Sequence, residues 1–339
     1  MTTIPFVDRF FAQSDEEIRS TQIGLFLLDH MIWPILAIVL LAFSLAISGF
    51  LSSGNLRIVL YGSAALSALV LGEAICLLSG HFDLSVGAIA GFSSMFTALF
   101  LIEWFPGTSG LVGILVILGV GALIGLLNGV SVAYLGVNPF LQTLSFNMIF
   151  SGAVIVLSTA TLSGMPETYL YLGGEELMGI PVAIILMAGL YALVGLWLKY
   201  TRSGRAVYAV GGDKDAAREA GINVNRVIIL VYVLSGVLCA LGGLLYTGYL
   251  GVAAPTIGQN DVFPAFAAAI IGGISLFGGR GKIIGAAGGV ILLGAVESGL
   301  VLMDIDPTTV DVINGLILLG AIYLYTMEEK FRQRLLTAR

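Results

Sequence analysis

The sequence predicts an all-α, polytopic membrane protein with about ten transmembrane helices, and three observations predict it. Hydrophobic residues make up 58% of the 339-residue chain and charged residues only 11%, against about 25% charged in a soluble domain. So few charges do not cover the surface of a soluble protein this large. The apolar residues fall in long runs, and a helix needs roughly 20 of them to cross a hydrocarbon core of about 30 Å. Forty-five glycines are the third sign, because glycine is more frequent in membrane helices than in soluble ones.

Ten candidate spans cover residues 31–50, 58–78, 86–105, 111–135, 140–160, 181–197, 227–250, 262–277, 283–303 and 310–327. The eighth is short, and a glycine-rich turn follows it. Residues 1–30 carry Asp8, Asp15, Glu16 and Glu17 and lack the basic-then-apolar start of a cleavable signal. Phe6, Phe10 and Phe11 suit a short cytosolic helix lying on the membrane surface; a disordered tail is the plain alternative. Residues 31–327 then form one transmembrane domain, and 328–339 a cytosolic tail. The net charge of −6 offers no basic patch for nucleic acid. Cys76 and Cys239 lie in apolar runs and read as buried thiols.

Lysine and arginine stay on the cytoplasmic side of membrane proteins. Ten spans with both termini inside put fourteen of the fifteen basic residues in the cytosol and leave only Arg57 outside. Six of the fourteen, Lys199, Arg202, Arg205, Lys214, Arg218 and Arg226, belong to the inner segment 200–226 and its edge. Within it, Asp213-Lys214-Asp215-Ala216-Ala217-Arg218-Glu219-Ala220-Gly221 predicts a short helix. Asp213 caps it, the alanines favour it and Gly221 stops it. Such a polar helix between spans either docks on a cytosolic partner or lies solvated on the surface. The outer segment 161–180, with turn residues at both ends, is an exposed loop that either only connects two spans or touches an external partner.

Several ordered motifs carry a family resemblance. They are Phe82-Asp83-Leu84-Ser85-Val86-Gly87, the stretch Gly204-Arg205-Ala206-Val207-Tyr208-Ala209-Val210-Gly211-Gly212, then Ala216-Ala217-Arg218, Gly221-Ile222-Asn223-Val224 and Pro255-Thr256. The set closes with Gly272-Gly273-Ile274-Ser275-Leu276-Phe277-Gly278-Gly279-Arg280-Gly281. Over about residues 54–325 the chain resembles the ribose-type permeases of ABC importers, which sit in the plasma membrane. The resemblance implies a second permease copy, cytosolic ABC ATPase subunits, an external solute-binding protein and a small polar solute. It makes Asp213, Ala216, Ala217, Arg218 and Gly221 the helix that meets the ATPase. Independently, the chain lacks the G-x-x-x-x-G-K-[ST] phosphate loop; Gly278-Gly279-Arg280-Gly281-Lys282 runs into Ile283 with the wrong spacing. ATP is therefore expected to be hydrolysed in a partner.

The chain departs from the family pattern at three places. Val262-Phe263-Pro264-Ala265-Phe266-Ala267-Ala268 replaces a stretch with two acids, Glu297-Ser298-Gly299 replaces an Asn-Asn-Gly step, and Glu73 replaces Met or Gln. These changes leave the solute open.

An ionisable group inside a span costs a few kcal/mol and faces a cavity or a partner. Glu73 and Glu297, with Ser298, are thus candidates for the solute path, or else buried carboxyls bridging helices. Ser79-Gly80-His81 breaks one span before Val86-Gly87 opens the next, so Asp83 and Ser85 either cap the new helix or contact solute. Asn128 offers a polar group to the fourth span, as Asn138, Gln142 and Asn147 do to the fifth. Gly121, Gly125 and Gly129, like Gly285 and Gly289, make small-residue faces for close packing. His81 has no nearby partner in sequence and reads as no metal ligand.

The functional readings are a sugar or polyol permease, a permease of the same machinery for a nucleoside or amino acid, and an ion-coupled secondary transporter using Glu73, Asp83 and Glu297. An enzyme has no support, since no nucleophile constellation or metal-ligand spacing occurs. No cofactor is expected.

Overall fold

The structure is a computed structural model that describes residues 30–337. The N-terminal segment expected on the membrane surface therefore lies outside the described residues, apart from His30. The chain forms α1 (Ile32–Ala46), α2 (Ser53–Leu78), α3 (Val86–Leu99, continued by a π-helical turn over Phe100–Trp104), α4 (Gly110–Tyr134) and α5 (Pro139–Leu157). A short α6 (Glu167–Gly174) and a two-residue hairpin, β1 (Glu176–Leu177) with β2 (Ile180–Pro181), precede α7 (Val182–Tyr200). Two polar helices follow, α8 (Arg202–Gly212) and α9 (Lys214–Glu219). Then come α10 (Val224–Leu250), α11 (Val262–Ile271), α12 (Ile283–Leu302) and α13 (Pro307–Thr337).

Eight of these helices are long and apolar enough to cross a membrane, while Ile32–Ala46 and Val262–Ile271 are shorter apolar helices. The first and eighth runs are thus shorter than the sequence suggests. The eighth stops at Ile271 because the chain enters turns at Gly273, Gly278, Gly279 and Gly281, all with positive φ, a backbone that residues with a Cβ rarely adopt. The last helix runs on past residue 327 into the expected tail.

Polar caps fix where the helices begin. Ser52, Ser109, Asn138, Thr201, Asp213 and Asn223 each accept a hydrogen bond from a backbone N–H of the first turn that follows, satisfying donors that have no partner inside the helix. Pro139 starts α5, where its missing N–H costs nothing.

The core forms around α10, which packs against α4 and α2. A Cβ at Gly121 would overlap the Gly236 carbonyl oxygen, and one at Gly125 the Tyr232 carbonyl oxygen. The two backbones are in van der Waals contact, as the four-residue glycine repeat predicts. Gly285 and Gly289 do the same for α12 against Gly272 and Ala268.

Contacts sort the connections to two ends of the bundle. At one end Arg57 pairs with Glu176 at 3.1 Å, and Leu162 bridges Ala253. At the other, the Gly279 N–H donates to the Leu78 carbonyl (2.9 Å), Tyr208 donates to Gly281 O (3.0 Å) and Arg280 pairs with Glu329 (2.6 Å). That second end carries α8, α9 and the described basic residues other than Arg57.

Candidate functional site: the break between α2 and α3

Four of the six solute-path candidates meet at the break between α2 and α3. The Asp83 backbone N–H donates to Glu73 Oε2 at 3.2 Å. Asp83 Oδ1 accepts from the Ser85 backbone N–H (3.1 Å) and from the Ser85 hydroxyl. The Asn128 side-chain amide donates to Ser85 Oγ at 2.9 Å, bringing in α4. From α10, Ser235 donates to Asp83 Oδ2 at 2.8 Å and Tyr232 donates to Phe82 O at 2.8 Å. Glu73, Asp83, Ser85, Asn128 and Ser235 are all at most 1% exposed.

The chain breaks here because Gly80, at φ +76°, turns it out of α2, and Asp83 satisfies the backbone N–H of Ser85, the residue just before α3. Ser85 precedes α3 but caps nothing with its own side chain; it relays Asn128 to Asp83. Two acceptors in the cluster, Glu73 Oε1 and Asn128 Oδ1, have no hydrogen-bond partner among the described residues. Buried polar atoms are rarely left so. The Gly258 segment closes the cluster's flank. A Cβ at Gly87 would overlap the Gly258 carbonyl oxygen, and one at Gly91 the Ile257 carbonyl oxygen. The chain between α10 and α11 thus folds back against the first turns of α3.

Glu297 and Ser298 are not part of this cluster. Ser298 donates to Asn55 Oδ1 at 2.8 Å, bridging α12 to α2. Glu297 is exposed and lies near enough to Asp261 to interact with it electrostatically, as does Tyr246. Asp261 shows that an acid persists just before the stretch 262–268. A groove of about 1140 Å³ between α2, α7 and α12 is lined by none of the six candidates.

The short polar helix is present as α9. Asp213 accepts from the backbone N–H groups of Asp215 and Ala216, both at 2.9 Å, and Gly221 ends the turn at φ +81°. Ala217 is buried beneath α9, whereas Asp213, Ala216, Arg218 and Gly221 do not share its burial: Ala216 and the charged residues face outward. Sequence reasoning missed α8, which precedes α9 and carries the Gly204–Gly212 motif.

It also missed what His81 does. Lys214 Nζ lies 3.1 Å from His81 Nε2, and His81 Nδ1 lies 2.9 Å from Ser79 Oγ, which donates to Cys76 O. An ammonium only donates, so Nε2 accepts and the proton sits on Nδ1. Burial, with Lys214 close by, holds the imidazole well below its ordinary value, at about 3. Burial and the neighbouring Arg218 lower Lys214 as well. Among the described residues no group of three His, Cys, Asp or Glu stands together to hold a metal ion.

Residues 55–322 match the family described as branched-chain amino acid transport system / permease component. The chain belongs to this family. It is 35% identical to the fructose import permease protein of Rhizobium meliloti, covering 85% of this chain and 82% of that one. It is also 35% identical to the D-allose transport system permease protein of Escherichia coli K12 (86% and 89%) and 33% identical to the ribose import permease protein of Bacillus subtilis 168 (85% and 90%). No solved structure matches. The chain is a membrane-embedded transport permease.

Proposed function

We propose that this permease is the membrane-spanning subunit of an ATP-driven importer, passing a sugar received from an external solute-binding protein. Two copies span the membrane, and two cytosolic ABC ATPase subunits bind the end that carries α8 and α9. The observation that carries this reading is α9 itself. It is a capped polar helix with one buried alanine, set at the basic end of the bundle and tied through Lys214 to the helix break. A helix of six residues has no fold of its own; a partner in the cytosol gives its outward face a role. The positive-inside rule places that end in the cytosol.

The named relatives favour a sugar. Hydroxyl donors of a sugar suit unpaired acceptors, and Glu297, Asp261 and Tyr246 supply a second set of polar groups. The family description favours a second reading, an amino acid as cargo. Proteoliposomes holding the permease, its ATPase and its binding protein test both, with radiolabelled hexoses, pentoses and leucine. ATP-dependent accumulation of one sugar, lost when either partner is omitted, is the expected result. Accumulation of leucine alone replaces the sugar reading. Uphill uptake on a proton or sodium gradient without ATP overturns the importer reading altogether.

A further inference from the structure

The groove between α2, α7 and α12 is chemically divided along its length. Most of its wall is aliphatic, including Val59, Ile184, Met187 and Ile291. At one end stand Lys199, Arg205 and Lys282, all exposed, and no carboxylate lines any part of it. Among the described residues none of the three cations has an acidic partner. Instead, Lys199 Nζ lies 5.1 Å from the centre of the Tyr200 ring, and Arg205 Nη1 donates to Tyr200 O at 3.0 Å.

The fold holds the three together. Lys199 is in the last turn of α7 and Arg205 follows on α8 after a tight corner, where a Cβ at Gly204 would overlap the Trp197 carbonyl oxygen. Lys282 directly precedes α12, and the bond from Tyr208 to Gly281 pins that segment to α8. Three cations with no acidic partner among the described residues thus stand at the mouth of an apolar slot.

We infer that this groove is a binding site for one anionic phospholipid, its acyl chains along α7 and α12 and its phosphate at Lys199, Arg205 and Lys282. Guanidinium and ammonium groups match a phosphate, and a basic pocket between membrane helices recognises anionic head groups. A symmetric second copy is a poorer occupant, because it would bring the same cations against each other. The site rests on the chain being a membrane permease and not on its cargo.

The test uses full-length permease in nanodiscs of phosphatidylcholine doped with phosphatidylglycerol. A photo-crosslinking amino acid at Ala192 reports the occupant by adduct mass, and native mass spectrometry reports retention. A phosphatidylglycerol adduct is expected. Each cation near the head group contributes about fivefold, so the combined variant K199Q/R205Q/K282Q should lower phosphatidylglycerol retention at least tenfold and leave phosphatidylcholine unchanged. Ala188→Trp, which fills the slot and keeps the cations, should lower retention too. A peptide adduct from this chain or from a second copy overturns the proposal. So does equal retention of the two lipids, displacement by inorganic phosphate alone, or unchanged retention in the triple variant. Uptake of any solute can fail without touching these readouts.

Discussion

Lys214 on α9 donates to His81 Nε2 across 3.1 Å, joining the short polar helix to the break between α2 and α3. Two residues farther along, Asp83 gathers hydrogen bonds from Ser85 and Ser235. One side-chain contact and a few residues of non-helical backbone thus link α9 to the buried cluster, and we propose that a push on α9 travels along them. Coupling needs such a contiguous physical connection with two arrangements.

Lys214→Met keeps the aliphatic stem and removes the donor. A hydrogen bond to a charged group is worth about 1.5–3 kcal/mol, so uptake should fall roughly tenfold or more. Assembly with the ATPase, read by co-purification, should persist, and ATP hydrolysis should continue without matching transport. Equal loss of assembly and uptake would instead make Lys214 part of the docking surface.

His81 gives a pH dependence with a definite sign. Its imidazole titrates at about 3 in the fold and near 6.5 in an unfolded chain. Between those values the unfolded state takes up a proton that the folded state refuses. Its contribution is therefore complete above pH 6.5 and is lost as pH falls, by about 1–2 kcal/mol at pH 5. Thermal melts in detergent should show the wild type losing more than His81→Gln between pH 7 and pH 5. Parallel losses would mean that the ring is already protonated in the fold.

Much of this architecture is legible in the sequence. Long apolar runs dictate helices, so most spans agree to within a few residues, and the glycine repeats in α4 and α12 lie where close packing needs them. Residues 31–50 and 262–277 were overread because hydropathy does not register glycine turns or where a helix stops. The cluster was half legible. Glu73, Asp83, Ser85 and Asn128 stand out as polar groups in apolar surroundings. Ser235 does not, because one hydroxyl in a 27-residue helix is common. Its spacing of three from Tyr232, on the face that meets Gly121 and Gly125, was the available signal. The Lys214–His81 contact spans 133 positions, and no local pattern reveals it.

Gly125→Ala tests the packing that holds Tyr232 against the break. The added methyl meets a backbone oxygen, which cannot rotate away, so α4 and α10 must separate. Overpacking of this kind costs about 1–3 kcal/mol. Folded yield should drop, with the melting temperature lowered by several degrees. Gly119→Ala, on the same helix with open space around it, should be neutral.

Glu297→Gln keeps the shape and removes any charge from the polar face where exposed Glu297 stands near half-buried Asp261 and Tyr246. If that face lines the solute path, uptake should fall severalfold while detergent-stable assembly with the ATPase survives. Glu297→Leu separates the alternative: a residue that only bridges helices would tolerate Gln, and Leu would then reduce folded protein. Normal uptake in both variants removes Glu297 from the path.

The buried cluster calls for a comparison of two carboxylates that do different things. Asp83 accepts from one backbone N–H and two hydroxyls, and Asp83→Ala would leave all three donors unpaired without water to replace it. Each buried orphan costs about 1–3 kcal/mol, so that variant should lose most of its folded protein. Ser235→Ala removes a single donor and should cost about 1 kcal/mol. The two should be non-additive in a double-mutant cycle, because they share one bond. Glu73 differs in keeping Oε1 without a partner among the described residues. Glu73→Gln preserves an acceptor for the Asp83 N–H, so its thermal stability should stay within about 1 kcal/mol of wild type. Its uptake separates the two roles open to the cluster. An acceptor that solute hydroxyls use on the way through should show in Glu73→Gln as a lower maximal uptake rate at unchanged stability. An unchanged rate would leave Glu73, with Asp83, as part of the joint that holds the break between α2 and α3, and would move the path to the Glu297 face.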